Sequence, residues 1–188
     1  WRNGVLVTAA PHIIFAVDTD GDDKADTQEI LYEGFGEGNQ QHRVNGLRWG
    51  LDNWLHGANG DSSGEIRSLK SEDQMTLRGR DFRIQPDGGR IQPLAGQTQY
   101  GRSRDNWGNW FGCNNSNQGY HFALTDHYTQ RNPHIPVPDA RVTLMPDRNN
   151  YPVSRVLARF NDHDQANKFT SICGIEIYRD TLLGAPFM

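Results

Sequence analysis

The sequence predicts an all-β protein, an internal fragment of a β-propeller with about three blades and one long excursion. Short β-branched and aromatic runs alternate with turn residues, and no stretch shows a convincing helical periodicity. The 188 residues include 20 Gly and 9 Pro but only 35% hydrophobic residues, which is typical of a turn-rich chain. Four antiparallel strands fit into roughly fifty residues, the size of one propeller blade. A plain β-sandwich is the structural alternative.

The first blade part covers about residues 1–35 and holds three predicted strands. They are the runs GVLVTAA, HIIFAVD and EILYEGF, in which β-branched and aromatic residues favour extended structure. An acidic loop joins the last two runs. Because its flanks are short and β-branched, we expect a connection between strands and no helix-loop-helix calcium site.

The second blade part, about residues 43–98, contains two predicted hairpins. NGLRWGLDNWLHGANG turns at Leu51-Asp52-Asn53, and DFRIQPDGGRIQPLAG turns at Asp87-Gly88-Gly89. The two hairpins supply four strands between about Gly46 and Gln97. The polar stretch 61–80 between them is predicted to be a surface loop.

The remaining blade parts are about 105–130 and 170–188, separated by an excursion over 131–169. The runs NWGNWFGCNNS and YHFALTD are predicted to open the first of these blades, and CGIEIYRDTLLG to start the other. The excursion is rich in Pro, Asp and Asn, and a short helix is expected at 162–169.

Charge and composition exclude some functions. A net charge of −4 argues against a surface that binds nucleic acid, and no apolar stretch approaches the length of a membrane span. Since the chain starts at Trp1 and lacks an initiator Met, we expect it to belong to a longer protein. Cys113 and Cys173 show no metal-site spacing, so one disulfide and two buried thiols both remain open.

The acidic loop DTDGDDKADTQE has the ligand spacing of a twelve-residue calcium loop. Carboxylates occupy positions 1, 3, 5, 9 and 12, and a backbone carbonyl is expected at position 7. In order, the predicted ligands are Asp18, Asp20, Asp22, Lys24 through its carbonyl, Asp26 and Glu29. Without a cation these charges would repel one another, which favours Ca²⁺.

One position departs from the calcium-loop pattern. Position 6, where Gly usually makes a turn with positive φ, is Asp23, and Asp tolerates that conformation better than most residues. We therefore expect weak binding, with a dissociation constant of roughly 10⁻⁴ to 10⁻³ M. The alternative is a solvated acidic turn without a metal.

Five long stretches carry a resemblance to a known family, and together they span nearly the whole chain. They are VTAAPHIIFAVDTDGDDKAD, QQHRVNGLRWGLDNWLHGANGD, GRDFRIQPDGG, TQYGRSRDNWGNWFGCNNS and RFNDHDQANKFTSICGIEIYRDTLLG. In this order they resemble the membrane-bound dehydrogenase propeller domain of planctomycete and verrucomicrobial proteins. That family is similar to the soluble quinoprotein glucose/sorbosone dehydrogenases, and its members often carry a c-type haem domain.

The resemblance implies a six-bladed propeller that acts as an extracytoplasmic oxidoreductase. Such an enzyme would pass electrons from a sugar or alcohol to pyrroloquinoline quinone and then to a c-type haem domain of the same longer chain. Because this sequence holds no CxxCH, any haem would lie beyond Met188. The implied location is the periplasm or the exterior of the cell.

The resemblance also implies a catalytic site at the loops that lead into two successive blades. His42, in QQHRVNGL, would be the base toward the substrate hydroxyl, since imidazole titrates near neutral pH. The cofactor would be held by Arg and Asn side chains, because guanidinium groups suit planar carboxylates. These are Arg43, Asn45, Arg102, Arg104 and Asn106.

Each of these assignments has a structural alternative. His42 could instead cap or hydrogen-bond a Gly-rich loop, and the other six His show no ligand spacing and are taken as structural or solvent-facing. Arg102 and Arg104 could pair with carboxylates such as Asp105. The Trp residues 49, 54, 107 and 110 are expected to pack between blades, or one of them to stack on a sugar.

A second function belongs to a different class. It is a non-catalytic, calcium-stabilised propeller that binds carbohydrate or protein. The redox function requires His42 and the arginines to converge on one open channel, whereas the binding function predicts a channel plugged by side chains.

Overall fold

A computed structural model describes residues 1–129, 131–132, 134, 139–145, 147–149 and 168–184. Within these residues the chain forms three antiparallel β-sheets and one short helix, α1 (Asp126–Thr129). The prediction of an all-β protein is therefore confirmed. No helix in the described part is long and apolar enough to cross a membrane.

The first sheet contains five strands in the order β1-β2-β3-β6-β7. Their bounds are β1 (Val5–Ala9), β2 (His12–Val17), β3 (Thr27–Phe35), β6 (Ser63–Ser68) and β7 (Gln74–Arg78). The three strands predicted in the first 35 residues are present, and the acidic loop joins β2 to β3 as expected.

The prediction that 61–80 is a surface loop is wrong, because this stretch forms the β6–β7 hairpin. β6 pairs with β3, with Tyr32 opposite Ser68. Each strand of the hairpin buries one large aliphatic residue, Ile66 in β6 and Leu77 in β7, among polar neighbours. One apolar residue per strand was too weak a pattern to distinguish from a polar loop.

The second sheet has the order β4-β5-β8-β9 and confirms the four strands predicted between Gly46 and Gln97. The strands are β4 (Asn45–Trp49), β5 (Leu55–Ala58), β8 (Asp81–Gln85) and β9 (Arg90–Leu94). Both hairpins turn where predicted. Asn53 and Gly89 have φ angles of 60° and 67°, which explains why Asn and Gly occupy these turns.

The third sheet is made of β10 (Arg102–Arg104), β11 (Trp110–Asn114), β12 (Asn117–His121) and β13 (Val142–Thr143), in this order. The strand expected in YHFALTD ends at His121, and α1 follows it. β13 lies within the predicted excursion. Over 173–184 the structure has no β-strand, and the helix predicted at 162–169 falls mostly outside the described residues.

The hydrophobic core lies between the first and second sheets. Tyr32 and Phe35 of β3 meet Phe82 of β8, and the rings of Phe35 and Phe82 are 5.1 Å apart. The Tyr32 hydroxyl donates to the Arg90 carbonyl at 3.1 Å, so its polar end is satisfied although the residue is buried. These contacts fix the two sheets against each other.

The first strands of the three sheets lie side by side. β1 contacts β4, and β4 contacts β10. Gly46 and Gly101 approach each other closely, since a Cβ atom on Gly46 would lie only 2.4 Å from the Gly101 Cα. Both glycines also have positive φ, so the backbone conformation as well as the lack of space disfavours a larger residue at either position. As a result, the loops before β4 and β10 meet.

Candidate functional site

His42 lies in the loop before β4 and contacts Gln99 from the loop before β10. The His42 Nε2 is 3.2 Å from the Gln99 Nε2, and His42 is half-buried while Gln99 is buried. The two residues therefore connect the two loops that the sequence placed at equivalent positions. We call His42, Gln99, Tyr100 and Asn45 the His42 cluster.

The hydrogen bonds of Gln99 determine which way its amide points. Its Oε1 accepts the backbone N–H of Asn115 at 2.9 Å, so its NH₂ group must be the donor toward Tyr100 Oη at 2.9 Å and toward His42. The His42 Nε2 consequently accepts and carries no proton. An imidazole with a free electron pair at this atom is in the protonation state of a general base.

Asn45, the first residue of β4, also belongs to this cluster. Its Nδ2 donates to the Gln99 carbonyl at 2.7 Å and to the Arg43 carbonyl at 2.8 Å. Arg43 uses Nη2 to reach the Glu37 carbonyl at 2.9 Å, and its Nε is buried without a partner among the described residues. His42 and Asn45 thus both contact Gln99, and Arg43 lies between them in the sequence.

Arg102 has a structural role instead of joining the His42 cluster. Its Nε donates to the Asp81 carboxylate at 2.6 Å, and its Nη2 donates to the Ala95 carbonyl at 2.8 Å. Both charged side chains are buried, with 0% of Asp81 and 4% of Arg102 exposed. The guanidinium also lies 3.8 Å from the centre of the Phe122 ring. This ion pair ties β10 to β8.

Arg104 and Asn106 lie away from the His42 cluster. Arg104 donates to the carbonyls of Trp49 and Asp105, each at 3.0 Å, and so links the end of β10 to the end of β4. The Asp105 carboxylate instead closes its own turn by accepting the backbone N–H of Asn109. Asn106 is exposed in that turn. Of the predicted arginines, only Arg43 therefore adjoins His42.

Three carboxylates of the acidic loop converge. Oxygen atoms of Asp18, Asp20 and Asp22 all lie within 4.8 Å of one another. Asp18 also accepts the backbone N–H of Gly21 at 2.7 Å and of Asp23 at 2.9 Å. The bond from Gly21 is the main reason that the pKa of Asp18 lies below its usual range. The loop backbone thus stabilises the ionised form of Asp18 at the point where the three carboxylates converge.

Two other predicted ligands lie elsewhere. Asp26 accepts the backbone N–H and the hydroxyl of Thr19, at 2.7 and 2.6 Å, and these bonds lower the pKa of Asp26. Glu29 lies on β3 opposite Phe15. Lys24 directs its ammonium group to Asp22 at 3.0 Å. Asp23 has the positive φ, 66°, that position 6 of a calcium loop requires.

Comparison with protein families places the whole chain in one of them. The family model described as a domain of unknown function, DUF7133, matches residues 1–188. The chain is a DUF7133 domain. The comparison with curated proteins found no match, and neither did the comparison with solved structures.

The DUF7133 domain has a second polar group that sequence reasoning missed. A cavity of about 990 Å³ lies between its second and third sheets, and His56 of β5 lines it. His56 is 4% exposed, its Nε2 is 3.2 Å from the Asp52 carboxylate, and its ring stacks on Trp110 with centroids 4.2 Å apart. Because a carboxylate only accepts, Nε2 is the donor. His56 Nδ1 is buried without a partner in the described part of the domain.

The environment keeps His56 neutral and Asp52 charged. Burial lowers the pKa of His56, and the Asp52 charge only partly offsets this. Burial alone would raise the pKa of Asp52, but the hydrogen bond from His56 and the charge of Arg83, at 2.7 Å, lower it to about 2. Strand register was the available signal, since β5 places His56 opposite Arg48 and Arg83.

The tryptophans do not form one cluster in the DUF7133 domain. Trp110 stacks on His56, and the Arg83 guanidinium lies 4.6 Å from the centre of the Trp54 ring. Trp49 and Trp107 are exposed, Trp107 by 83%. Two of the four therefore pack against polar groups beside the cavity, and two face solvent.

Proposed function

We propose that this domain is part of a β-propeller oxidoreductase of the quinoprotein glucose/sorbosone dehydrogenase type. It would act outside the cytoplasm and pass electrons from a sugar or alcohol toward a c-type haem domain of the same longer chain. The observation that supports this function is the unprotonated Nε2 of His42 at the meeting point of the two loops. The adjacent first strands of the three sheets support the propeller arrangement.

In this proposal His42 accepts a proton from the substrate hydroxyl at Nε2. The hydroxyl would replace the Gln99 amide as the hydrogen-bond donor to that atom, so substrate binding needs no change of tautomer. Gln99 and Asn45 hold the two loops at the distance that this exchange requires. Bound pyrroloquinoline quinone would supply the acceptor for the hydride.

The predicted quinone ligands fit only in part. Arg43, with its buried and unpaired Nε, fits an anionic group beside His42. Arg102 and Arg104 do not fit, because Asp81 and backbone carbonyls already occupy their guanidinium groups. We therefore assign the cofactor contact on this domain to Arg43, with Asn45 beside it.

The test is an anaerobic titration of the complete protein with pyrroloquinoline quinone and Ca²⁺, followed by dye reduction with a panel of sugars and alcohols. We expect quinone-dependent dye reduction by at least one substrate, and weaker quinone binding after Arg43→Met. Arg104→Met is the matched control and should bind quinone as the wild type does. The redox function would be refuted if the wild type and Arg104→Met both failed to bind quinone saturably and neither reduced the dye.

The occupied arginines favour a second candidate function. A non-catalytic propeller that binds carbohydrate or protein needs no free guanidinium groups, and the contacts of Arg102 and Arg104 agree with a purely structural use of them. This candidate predicts sugar or protein binding without dye reduction in the same titration.

We further propose that Asp18, Asp20 and Asp22 hold one Ca²⁺, with the Lys24 carbonyl, in a structural role. Calorimetry should show binding in the range of roughly 10⁻⁴ to 10⁻³ M. The double variant Asp20→Asn, Asp22→Asn should lose this heat. Glu29→Gln should retain it, since Glu29 lies on β3. Equal heats from the wild type and the double variant would leave the loop an acidic turn.

A further inference from the structure

The two cysteines come from distant parts of the sequence but meet beside the His42 cluster. The backbone N–H of Ile172 donates to the Asn115 carbonyl at 3.3 Å, which brings the chain at Cys173 alongside the end of β11. Cys113 is buried in β11, whereas Cys173 is exposed. Both are free thiols in this structure.

The pKa shifts of the nearby groups agree with this placement of the two thiols. Burial and the nearby Cys173 both raise the pKa of Cys113, to about 11, while the backbone N–H of Gly174 lowers it. Gly174 follows Cys173 directly, and Ile172 on the other side of Cys173 is hydrogen-bonded to Asn115, two residues after Cys113. Burial and the nearby Cys173 both raise the pKa of Tyr100, while the Cys173 thiol itself donates to the Ser171 carbonyl at 3.3 Å.

We propose that Cys113 and Cys173 form a disulfide that fastens residues 172–177 to β11 behind the His42 cluster. The segment already has other contacts with the first strands. Glu176 pairs with Arg48 at 2.7 Å, and the Ile177 N–H donates to Ser103 Oγ at 3.1 Å. These contacts already form while both thiols are free, and a disulfide would add a covalent link to them.

The bond requires a disulfide oxidant, such as oxidised glutathione or a disulfide-carrying oxidoreductase. Cys173, the exposed thiol, attacks the oxidant as a thiolate and forms a mixed disulfide, releasing one thiol of the oxidant. Cys113 then attacks the Cys173 sulfur and releases the second thiol. Two protons leave the cysteines, two electrons pass to the oxidant, and one S–S bond is exchanged for another. Because Cys113 is buried, its attack is the slow step.

The disulfide would act on the His42 cluster through the backbone. Gln99 N donates to the Cys113 carbonyl at 3.2 Å, and Gln99 Oε1 accepts the Asn115 N–H. Both ends of Gln99 thus depend on the residues around Cys113, and Tyr100 and Cys173 line the same pocket. Fixing Cys113 to Cys173 would hold Gln99 in the orientation that leaves His42 Nε2 unprotonated. The inference itself does not depend on the proposed redox function.

The experiment starts with the chain purified under reducing conditions and then equilibrated with oxidised and reduced glutathione. After acid quenching, thiols are labelled with a maleimide in guanidinium chloride and counted by intact mass. We expect two labels before oxidation and none after it. Peptide mapping without reduction should show the Cys113 peptide joined to the Cys173 peptide within one chain.

Two single variants and an unfolded control separate this bond from other thiol chemistry. Cys113→Ser should give a glutathione adduct on Cys173, and Cys173→Ser should keep Cys113 as one labelled thiol. The folded chain should close the bond at roughly 30-fold lower ratios of oxidised to reduced glutathione than the chain in guanidinium, as expected for a stabilising disulfide. The proposal would be overturned if the folded and unfolded chains closed the bond at the same glutathione ratio. A wild-type glutathione adduct on Cys173 with Cys113 still free, or dimers linked through Cys173, would also overturn it.

Discussion

Replacing Asp81 with Asn is expected to lower the free energy of unfolding by about 3–5 kcal/mol, because it leaves the Arg102 guanidinium buried without its counter-charge. The Asp81 carboxylate also accepts the backbone N–H groups of Asn59 and Thr98, at 2.9 and 3.1 Å. It therefore joins three parts of the chain: β8, the residue that follows β5, and the loop before β10. Urea unfolding followed by tryptophan fluorescence measures the loss.

An exposed ion pair provides the control for the Asp81 prediction. Glu33 of β3 pairs with Arg67 of β6, whose side chain is 64% exposed, so Glu33→Gln should cost less than about 1 kcal/mol. The double variant Asp81→Asn, Arg102→Met should lose less stability than the sum of its single variants, since the two residues interact directly. A loss for Asp81→Asn no larger than that for Glu33→Gln would show that the buried pair contributes little.

Turn residues and strand alternation were sufficient to predict most strands. The turns at Asn53 and Gly89 demand positive φ, which only a few residue types adopt readily, so the hairpins around them are visible in the sequence. The turn of the β6–β7 hairpin has no residue with positive φ to mark it in the sequence. Its pairing partner is β3, which lies about thirty residues earlier in the chain, and register with a strand so distant in the sequence leaves no local pattern.

The candidate site was predictable as a place in the fold but not as a set of contacts. The loops before β4 and β10, in which the candidate residues were placed, meet and bring His42 to Gln99. The partners of Arg102 could not be predicted, because Asp81 lies in another sheet and nothing nearby in the sequence marks it as the counter-charge. The His56–Asp52 pair was missed for a different reason: Asp52 is only four residues away, but the burial of His56 depends on Trp110 from the third sheet.

In the acidic loop, too, the sequence spacing predicted some of the geometry but not all of it. The spacing rule correctly required positive φ at Asp23, and Asp18, Asp20 and Asp22 do converge. It also selected Asp26, whose carboxylate instead closes the loop through Thr19. The Thr19 hydroxyl, seven residues away, competes with a metal ion for the Asp26 carboxylate. The spacing of the carboxylates gives no information about such a competing donor.

His42→Gln is expected to lower turnover in the dye-reduction assay by roughly 10² to 10⁴-fold, the contribution of a general base. Gln has similar reach but no basic nitrogen, so the contact with Gln99 can persist while proton transfer is lost. Substrate binding should change little, because the exchange at Nε2 is only one of the contacts. Turnover numbers measured at saturating substrate, with KM alongside, test this.

A variant of Gln99 distinguishes a base from a structural histidine. Gln99→Met removes the amide that orients His42 but leaves its imidazole, so turnover should fall less than in His42→Gln, while His127→Asn on the exposed helix α1 should behave as the wild type. If His42 only held the loops together, His42→Gln and Gln99→Met would lower stability by similar amounts, and each would alter KM and turnover together. A His42→Gln protein with wild-type turnover would remove the general base from the proposed site, and the loops before β4 and β10 would then serve binding alone.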